Sequence, residues 1–229
     1  KEVATIDWFS EGRLELGLGA GWVRSEYEAM GIPMLSPGKR INKMVETLDL
    51  IRQHYSGEQI ELQGEHLQIS GFSGVPSTHS VPPVMIGGGA KRVLGIAGRE
   101  ADIVSINFNN SAGKIGPEGV GSGTSAGTLQ KIEWIKDGAG ERFKDIEIEI
   151  AAYFTVVTDH ADAVANDFAK LFGLTPEEIL NHPHCLIGPV EQIIESLQKR
   201  REEFGINYVT FSGPVIDEVA PIVEALSGS

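Results

Sequence analysis

The stretch Pro82-Pro83-Val84-Met85-Ile86-Gly87-Gly88-Gly89-Ala90-Lys91-Arg92 sets the reading of this chain. A short apolar run behind two prolines reads as a buried strand, and it empties into three glycines. Residues 90–99 then read as a helix, with Val93, Leu94, Ile96 and Ala97 on its apolar side. Residues 101–106 follow as another short apolar run. Strand, glycine turn, helix and strand make a βαβ unit with its glycines at the carboxyl end of the first strand. Without Cβ, such a turn lets a ligand approach the backbone amides, and the free N–H groups of the next helix favour an anion. The same glycines also suit a tight turn that binds nothing, because the pattern is neither a dinucleotide fingerprint nor a P-loop.

The 229 residues suffice for one large α/β domain or two small ones, and 41% hydrophobic content supports a sizeable core. A formal net charge of -13 argues against nucleic acid and anionic membranes as partners. An anionic ligand therefore needs a local patch of amides or arginines. Cys185 is the one cysteine, so no internal disulfide forms and a reducing, cytoplasmic setting is expected. No apolar run approaches the roughly 20 residues of a membrane span, and no signal-peptide pattern opens the chain. Lys1 to Phe9 reads as a helix already under way, with Val3, Ala4, Ile6 and Phe9 as its apolar side, so a trimmed chain or a fragment is expected.

Outward from the central unit the rhythm repeats. Leu14 to Leu18 reads as a short strand that leaves through Gly19-Ala20-Gly21-Trp22. Ser36 and Pro37 open a helix whose stripe is Ile41, Met44, Val45, Leu48 and Ile51, and Gly57 stops it. Residues 58–81 form an insertion with a small hairpin around Gln63-Gly64-Glu65. Residues 107–128 are poor in apolar side chains and punctuated by glycine, which suggests a flexible loop or a lid. A short helix is expected over 129–136, a strand over 146–157 and a helix capped by Thr158. A capping box at Thr175-Pro176-Glu177-Glu178 follows. A helix after Gly188-Pro189, a strand over 207–212 and a last helix along Ile216, Val219, Ile222 and Leu226 complete the chain.

Five strands, starting near Leu14, Val84, Asp102, Ile146 and Tyr208, are each followed by helix. Repeated βα units imply a parallel sheet with helices outside. Five units that begin mid-helix fit the last five of a (β/α)8 barrel that has lost its first three. An open doubly wound sheet of five strands fits the periodicity equally well.

Several motifs, in order, carry a resemblance. Gly12-Arg13-Leu14-Glu15-Leu16-Gly17-Leu18-Gly19-Ala20-Gly21-Trp22, with Glu26-Tyr27 and Gly31-Ile32-Pro33, resembles the fourth-strand region of the bacterial luciferase-like monooxygenase superfamily, in its branch using the deazaflavin coenzyme F420. Gly57-Glu58 with Gly64-Glu65-His66 resembles that family's insertion. Pro82 to Arg92 resembles its fifth strand and loop, and Ala97 to Asp102 the approach to the sixth. Pro183 to Gly188 and Arg200 to Tyr208 resemble a C-terminal block found in one subgroup. The resemblance covers essentially the whole chain. It implies a TIM-like barrel of the luciferase type, here a single partial domain over residues 1–229 with its first three strands absent. It implies an enzyme that binds coenzyme F420, or alternatively FMN, at the carboxyl ends of the strands, acts on a small organic substrate and forms a homodimer. The catalytic residues of the absent strands have no counterparts in this chain. A further reading is a non-catalytic flavin-binding protein with a shortened barrel.

By the same resemblance, Gly87, Gly88, Gly89 and Ala90 line the phosphate or tail of the cofactor, with Arg92 assisting. Ala90 stands where a fourth glycine is common. Gly19, Ala20, Gly21 and Trp22 lie at the neighbouring strand exit, where Trp22 is equally a core aromatic. Asn107 and Asn109 follow a strand towards the same rim and either hydrogen-bond a ligand or serve the turn. His184 is a candidate at the substrate mouth. His182, His184 and Cys185 contain zinc-type ligands, but no second pair has ligand spacing, and no metal is expected. Glu147/Glu149 and Glu202-Glu203 read as solvated faces, and His66 as surface.

Overall fold

The computed structural model describes residues 1–74, 80–111 and 113–228. The chain divides into two compact units, residues 1–86 and 87–229, and the boundary falls inside one strand.

The first unit contains α1 (Glu2–Phe9), β1 (Leu16–Leu18), α2 (Arg24–Ala29), α3 (Pro37–Ser56), β2 (Ile60–Gln63), β3 (Gln68–Phe72) and the start of β4 (Val84–Gly88). β1 pairs in parallel with β4, Leu16 opposite Val84 and Leu18 opposite Ile86. Pro37 starts α3 and Gly57, at φ 75°, ends it in the left-handed conformation that glycine takes without strain. Met44 and Leu48 are the fully buried members of its expected stripe. β2 and β3 form the expected antiparallel hairpin. Its turn is pinned by Glu46 of α3, whose carboxylate accepts the backbone N–H groups of Glu65, His66 and Leu67 at 3.0, 2.8 and 2.8 Å. The His66 side chain is 10% exposed, so it is not the surface residue expected. Residues 75–79 of the expected 58–81 insertion lie outside the described residues. In α1 the buried residues are Ala4 and Asp7, while Ile6 and Phe9 are exposed. Tyr55 of α3 donates to Asp7 Oδ2 at 3.2 Å, which satisfies a carboxylate that the apolar pattern had placed outside.

The second unit continues with α4 (Lys91–Glu100), β5 (Ile103–Ile106), α5 (Pro117–Gly121), α6 (Ser125–Ala139), β6 (Glu147–Ala152), β7 (Phe154–Val157), α7 (Ala161–Phe172), α8 (Pro176–Leu180), β8 (Cys185–Gly188), α9 (Val190–Phe204), β9 (Ile206–Phe211) and α10 (Ile216–Leu226). β5 pairs in parallel with β6 and β6 with β9, the arrangement that βα repeats require. Ile148, Ile150 and Ala152 of β6 and Val104 and Ile106 of β5 are buried. The capping box at Thr175 is present, with Thr175 and Glu178 each bonding the other's backbone N–H.

Three expectations change here. The single strand over 146–157 is interrupted at Tyr153, and its second half, β7, pairs in parallel with β8 as a separate two-stranded sheet. β8 is buried throughout, but its four residues are too few to distinguish from a loop in front of Pro189. Arg200 of α9, 4% exposed, fixes it by donating to the carbonyls of Pro183 and Cys185 at 2.9 and 2.7 Å. The stretch 107–128 is not a bare loop: it holds α5 and the first turn of α6, with Phe108, Val120 and Thr128 buried. The glycine periodicity there hid a structure held by three buried anchors. Glu149 is 2% exposed, not solvated, and accepts the Thr210 hydroxyl at 2.7 Å.

Helices α4 and α6 meet backbone to backbone. A Cβ on Gly98 would lie 2.3 Å from the Ile135 carbonyl oxygen, and one on Gly138 would lie 2.1 Å from that of Gly95. Gly138→Ala gains about 1 kcal/mol of helix propensity but overpacks this contact by about 1–3 kcal/mol or more. The expected outcome is a net loss of stability, read as a lower urea midpoint at unchanged m-value.

Candidate functional site

The polar groups of the second unit converge on Asn107, just beyond β5. All four of its hydrogen-bonding groups are engaged. Its backbone N–H donates to the Gly88 carbonyl at 2.8 Å. Its carbonyl accepts Lys131 Nζ of α6 at 2.7 Å. Its side-chain Nδ2 donates to Ser105 Oγ at 3.0 Å, and its Oδ1 accepts the Tyr153 hydroxyl. One residue thereby ties together the ends of β4, β5 and β6 and the middle of α6.

The glycine turn sits beside it. Gly89 has no room for a side chain, since a Cβ would lie 2.1 Å from the Phe108 carbonyl oxygen, and at Gly88 it would lie 2.2 Å from Val93 Cγ1. These two glycines are therefore demanded by the chain's own packing. Gly87 is less tightly held: the nearest atoms to a Cβ there are the Asn107 amide nitrogen at 3.2 Å and Ser105 at 3.7 Å. Ala90 is the N-cap of α4, with extended φ −120° and ψ 153° and no side-chain cap. It is not yet helical, so alanine in place of glycine carries no backbone strain. Ala90 has no side-chain oxygen with which to cap the first-turn amides of α4. That turn carries Lys91 and Arg92 and no acidic residue, and Arg92 is exposed. A helix N-terminus with basic and no acidic residues in its first turn is electrostatically favourable to an anion.

Behind Asn107 lies an aromatic and imidazole cluster. Phe108 packs on Tyr153, His182 and His184 at centroid distances of 5.2, 6.0 and 4.5 Å. His184 stacks on Tyr153 at 5.3 Å and 19°. His182 Nε2 bonds the Val120 carbonyl at 3.0 Å, so that nitrogen carries the proton and Nδ1 accepts the His184 backbone N–H at 3.2 Å. His184 Nδ1 likewise bonds the Ala151 carbonyl at 2.8 Å, and its Nε2 is buried without a partner. Burial pushes the imidazoles down to about 4 for His182 and about 3 for His184. Burial also lowers the Lys131 amine to about 8 and raises the Cys185 thiol to about 12. At neutral pH this cluster holds two neutral imidazoles, a thiol and one ammonium. Cys185 is no nucleophile in that state. Among the described residues no group of three or more His, Cys, Asp or Glu side chains is placed to hold a metal ion.

In the first unit, Gly19, Ala20 and Gly21 line a pocket of about 290 Å³ with Tyr27, Arg40 and Lys43. Gly21 has φ 73°, and a Cβ there would lie 2.2 Å from the Tyr27 hydroxyl oxygen, so glycine is required on both counts. Arg40 Nε donates to the Gly21 carbonyl at 3.1 Å. Trp22 is 37% exposed and so is not a core aromatic.

The expected residues thus separate. Gly87 to Ala90 and Asn107 share one rim. Asn109 serves its turn, its Oδ1 accepting the Ser111 N–H at 3.3 Å and its own N–H reaching Ser122 Oγ at 2.8 Å. His184 is fully buried beneath Tyr153 rather than lining a mouth. The residues missed are Tyr153, Lys131, Ser105 and Glu149. Lys131 sits at helical spacing from Thr128, Ile132 and Ile135, all buried, which is a signal of a lysine on the inner stripe.

Protonation connects this cluster to stability. Both imidazoles have folded-state values below their ordinary 6.5. Unfolding therefore takes up protons once the pH falls below about 6.5. Stability is whole above that pH and is lost as the pH falls towards about 4 and then about 3. We expect urea-derived stability to fall below pH 6.5, with His184→Leu removing about one proton from the slope. An unchanged slope in that variant would assign the pH dependence to other groups.

Comparison with known proteins follows from this geometry. Residues 1–116 match the family model described as luciferase-like monooxygenase. The F420-dependent glucose-6-phosphate dehydrogenase of Rhodococcus hoagii (strain 103S) is 26% identical over 97% of this chain and 63% of its own length. The FMNH(2)-dependent dimethylsulfone monooxygenase of Pseudomonas fluorescens (strain Pf0-1) is 26% identical over 49% of this chain and 31% of its own. The chain thus spans less than two thirds of the length of these curated relatives. Among solved structures, the coenzyme F420-dependent tetrahydromethanopterin reductase of Methanopyrus kandleri superposes with a TM-score of 0.70 at 16% identity, covering 98% of this chain and 76% of that one. The long-chain alkane monooxygenase LadA gives 0.66 at 14% identity, covering 97% and 64%. At these identities the structural likeness establishes the fold, an α/β fold with parallel strands. With half of its length matched by the family model and its parallel strands laid out as in those structures, this chain belongs to the luciferase-like monooxygenase family.

Proposed function

We propose that this protein is an oxidoreductase that passes a hydride between coenzyme F420 and a small organic substrate. The observation that carries the reading is the rim of the second unit: a helix start with Lys91 and Arg92 and no acidic residue, the Gly87–Gly89 turn, and the Asn107 amide with the Lys131 ammonium beneath it. That donor set suits the phosphate in the side chain of a deazaflavin or flavin. The match to an F420-dependent dehydrogenase over 97% of the chain favours the deazaflavin. In this reading the parallel strands are the last five of a luciferase-type barrel, the working form is a homodimer, and the protein acts in the cytoplasm.

The bound cofactor supplies the redox chemistry, and the protein supplies binding, orientation and exclusion of water. The amides of the Gly87–Gly89 turn and of the first α4 turn bind the phosphate. Asn107 fixes the turn from the side, and Lys131 offsets part of the negative charge. Phe108 closes the base of the site to water. FMN is the second reading, since two relatives are FMNH(2)-dependent dimethylsulfone monooxygenases.

Titration of the purified protein with F420 and with FMN distinguishes these readings. Tight binding of F420 with its single violet band, and weak binding of FMN, is expected. Preferential binding of FMN, with its additional blue band, would move the assignment to a monooxygenase. Binding of neither would sink both.

A further inference from the structure

We propose that Tyr153 is a positioning residue: it holds the Asn107 side-chain amide against Gly87, so that Asn107 adds a side-chain donor to the backbone amides that recognise a phosphate. The inference rests on the cofactor reading above and assigns two residues of the same rim a role in it.

The orientation of the amide follows from its neighbours. Nδ2 lies 3.0 Å from Ser105 Oγ and 3.4 Å from the Ser105 carbonyl, which can only accept. Nitrogen therefore faces Ser105, and oxygen faces the Tyr153 hydroxyl, which donates to it. The same nitrogen lies 3.2 Å from where a Gly87 Cβ would be, so it packs directly against the glycine turn.

Tyr153 is built to stay in place. One face of its ring is stacked on His184, and Phe108 packs against it. His184 is itself held by the Ala151 carbonyl. The Tyr153 backbone N–H returns to that same carbonyl at 3.0 Å, which turns the chain between β6 and β7. The ring is nevertheless 44% exposed, so it stands at the surface beside the rim. A hydroxyl delivered by a ring that cannot swing orients an amide with little loss of freedom when the ligand arrives. Burial, and then the Glu149 carboxylate on β6, raise the phenol above its ordinary value, so it remains a donor.

The test compares ligands with and without a phosphate; FMN and riboflavin differ in that group alone, F420 and its core also in the tail beyond it. FMN and riboflavin, and F420 and its phosphate-free deazaflavin core, are titrated into the wild-type protein, Tyr153→Phe, Asn107→Ala and the double variant. In the wild type the phosphate-bearing member of the pair binds more tightly. We expect Tyr153→Phe to weaken that member about 3- to 10-fold and leave the phosphate-free member unchanged. Asn107→Ala should do the same, and the double variant should be no weaker than Asn107→Ala, because the two residues act as one unit. A general packing defect would weaken both members alike, which overturns the proposal. An unchanged phosphate preference in Tyr153→Phe, or effects that multiply in the double variant, also overturns it while leaving the cofactor reading intact. Failure of the wild type to bind any of the four ligands overturns both. Should Tyr153→Phe not fold, Asn107→Ala decides alone by the same ratio.

Discussion

The second unit's strand ends and glycine turn are organised by the four-way hydrogen bonding of Asn107. A residue beyond the end of a strand normally leaves its backbone groups to water. Here the N–H is taken by Gly88, the carbonyl by Lys131, and the amide is divided between Ser105 and Tyr153. The glycine turn, the strand ends and the long helix are therefore referenced to one side chain. Gly88 and Gly89 complete the constraint from the other direction, because only residues without Cβ fit between Val93 and the Phe108 carbonyl. The turn is rigid before any ligand approaches it.

The electrostatics have the same local character. A chain of net charge -13 offers an anion no long-range attraction. What it offers is a short-range surface of N–H groups, a basic first turn on α4 and a single buried ammonium. The imidazoles and the thiol nearby stay neutral because burial penalises their charged forms. They act as packing and hydrogen-bonding groups, and the charge beside them is cationic, on Lys131 and on Arg200, which holds the Pro183 and Cys185 carbonyls.

Much of this was legible in the sequence where periodicity was long or chemistry was local. The α3 stripe, the Thr175 capping box and the central strand–glycine–helix unit all follow from residue spacing. The glycine motifs could be recognised but not explained: Gly88 and Gly89 answer to Val93 and to the Phe108 backbone, which no spacing rule connects to them. The site itself was half legible. Gly87 and Asn107 stood out, whereas Tyr153 looked like one more apolar residue in a strand, and Glu149 looked solvated because it alternates with isoleucine. In both cases the decisive fact is which neighbouring strand lies alongside, Ser105 opposite Glu149 in the register, and that is a property of pairing rather than of the segment. β8 was illegible for a related reason: four residues make a strand only because β7 is there to receive them.

The backbone contact between α4 and α6 has a consequence for how the rim keeps its dimensions. Helices separated by a layer of side chains drift apart or together as those side chains change. Where Gly95, Gly98 and Gly138 bring the two backbones into contact, the spacing is fixed by peptide atoms that every sequence shares. One of these helices begins at the glycine turn and the other carries Lys131. The pair therefore works as a gauge block: the distance between the first-turn amides of α4 and the buried ammonium of α6 is inherited from main-chain geometry rather than from the side chains that happen to lie between two helices.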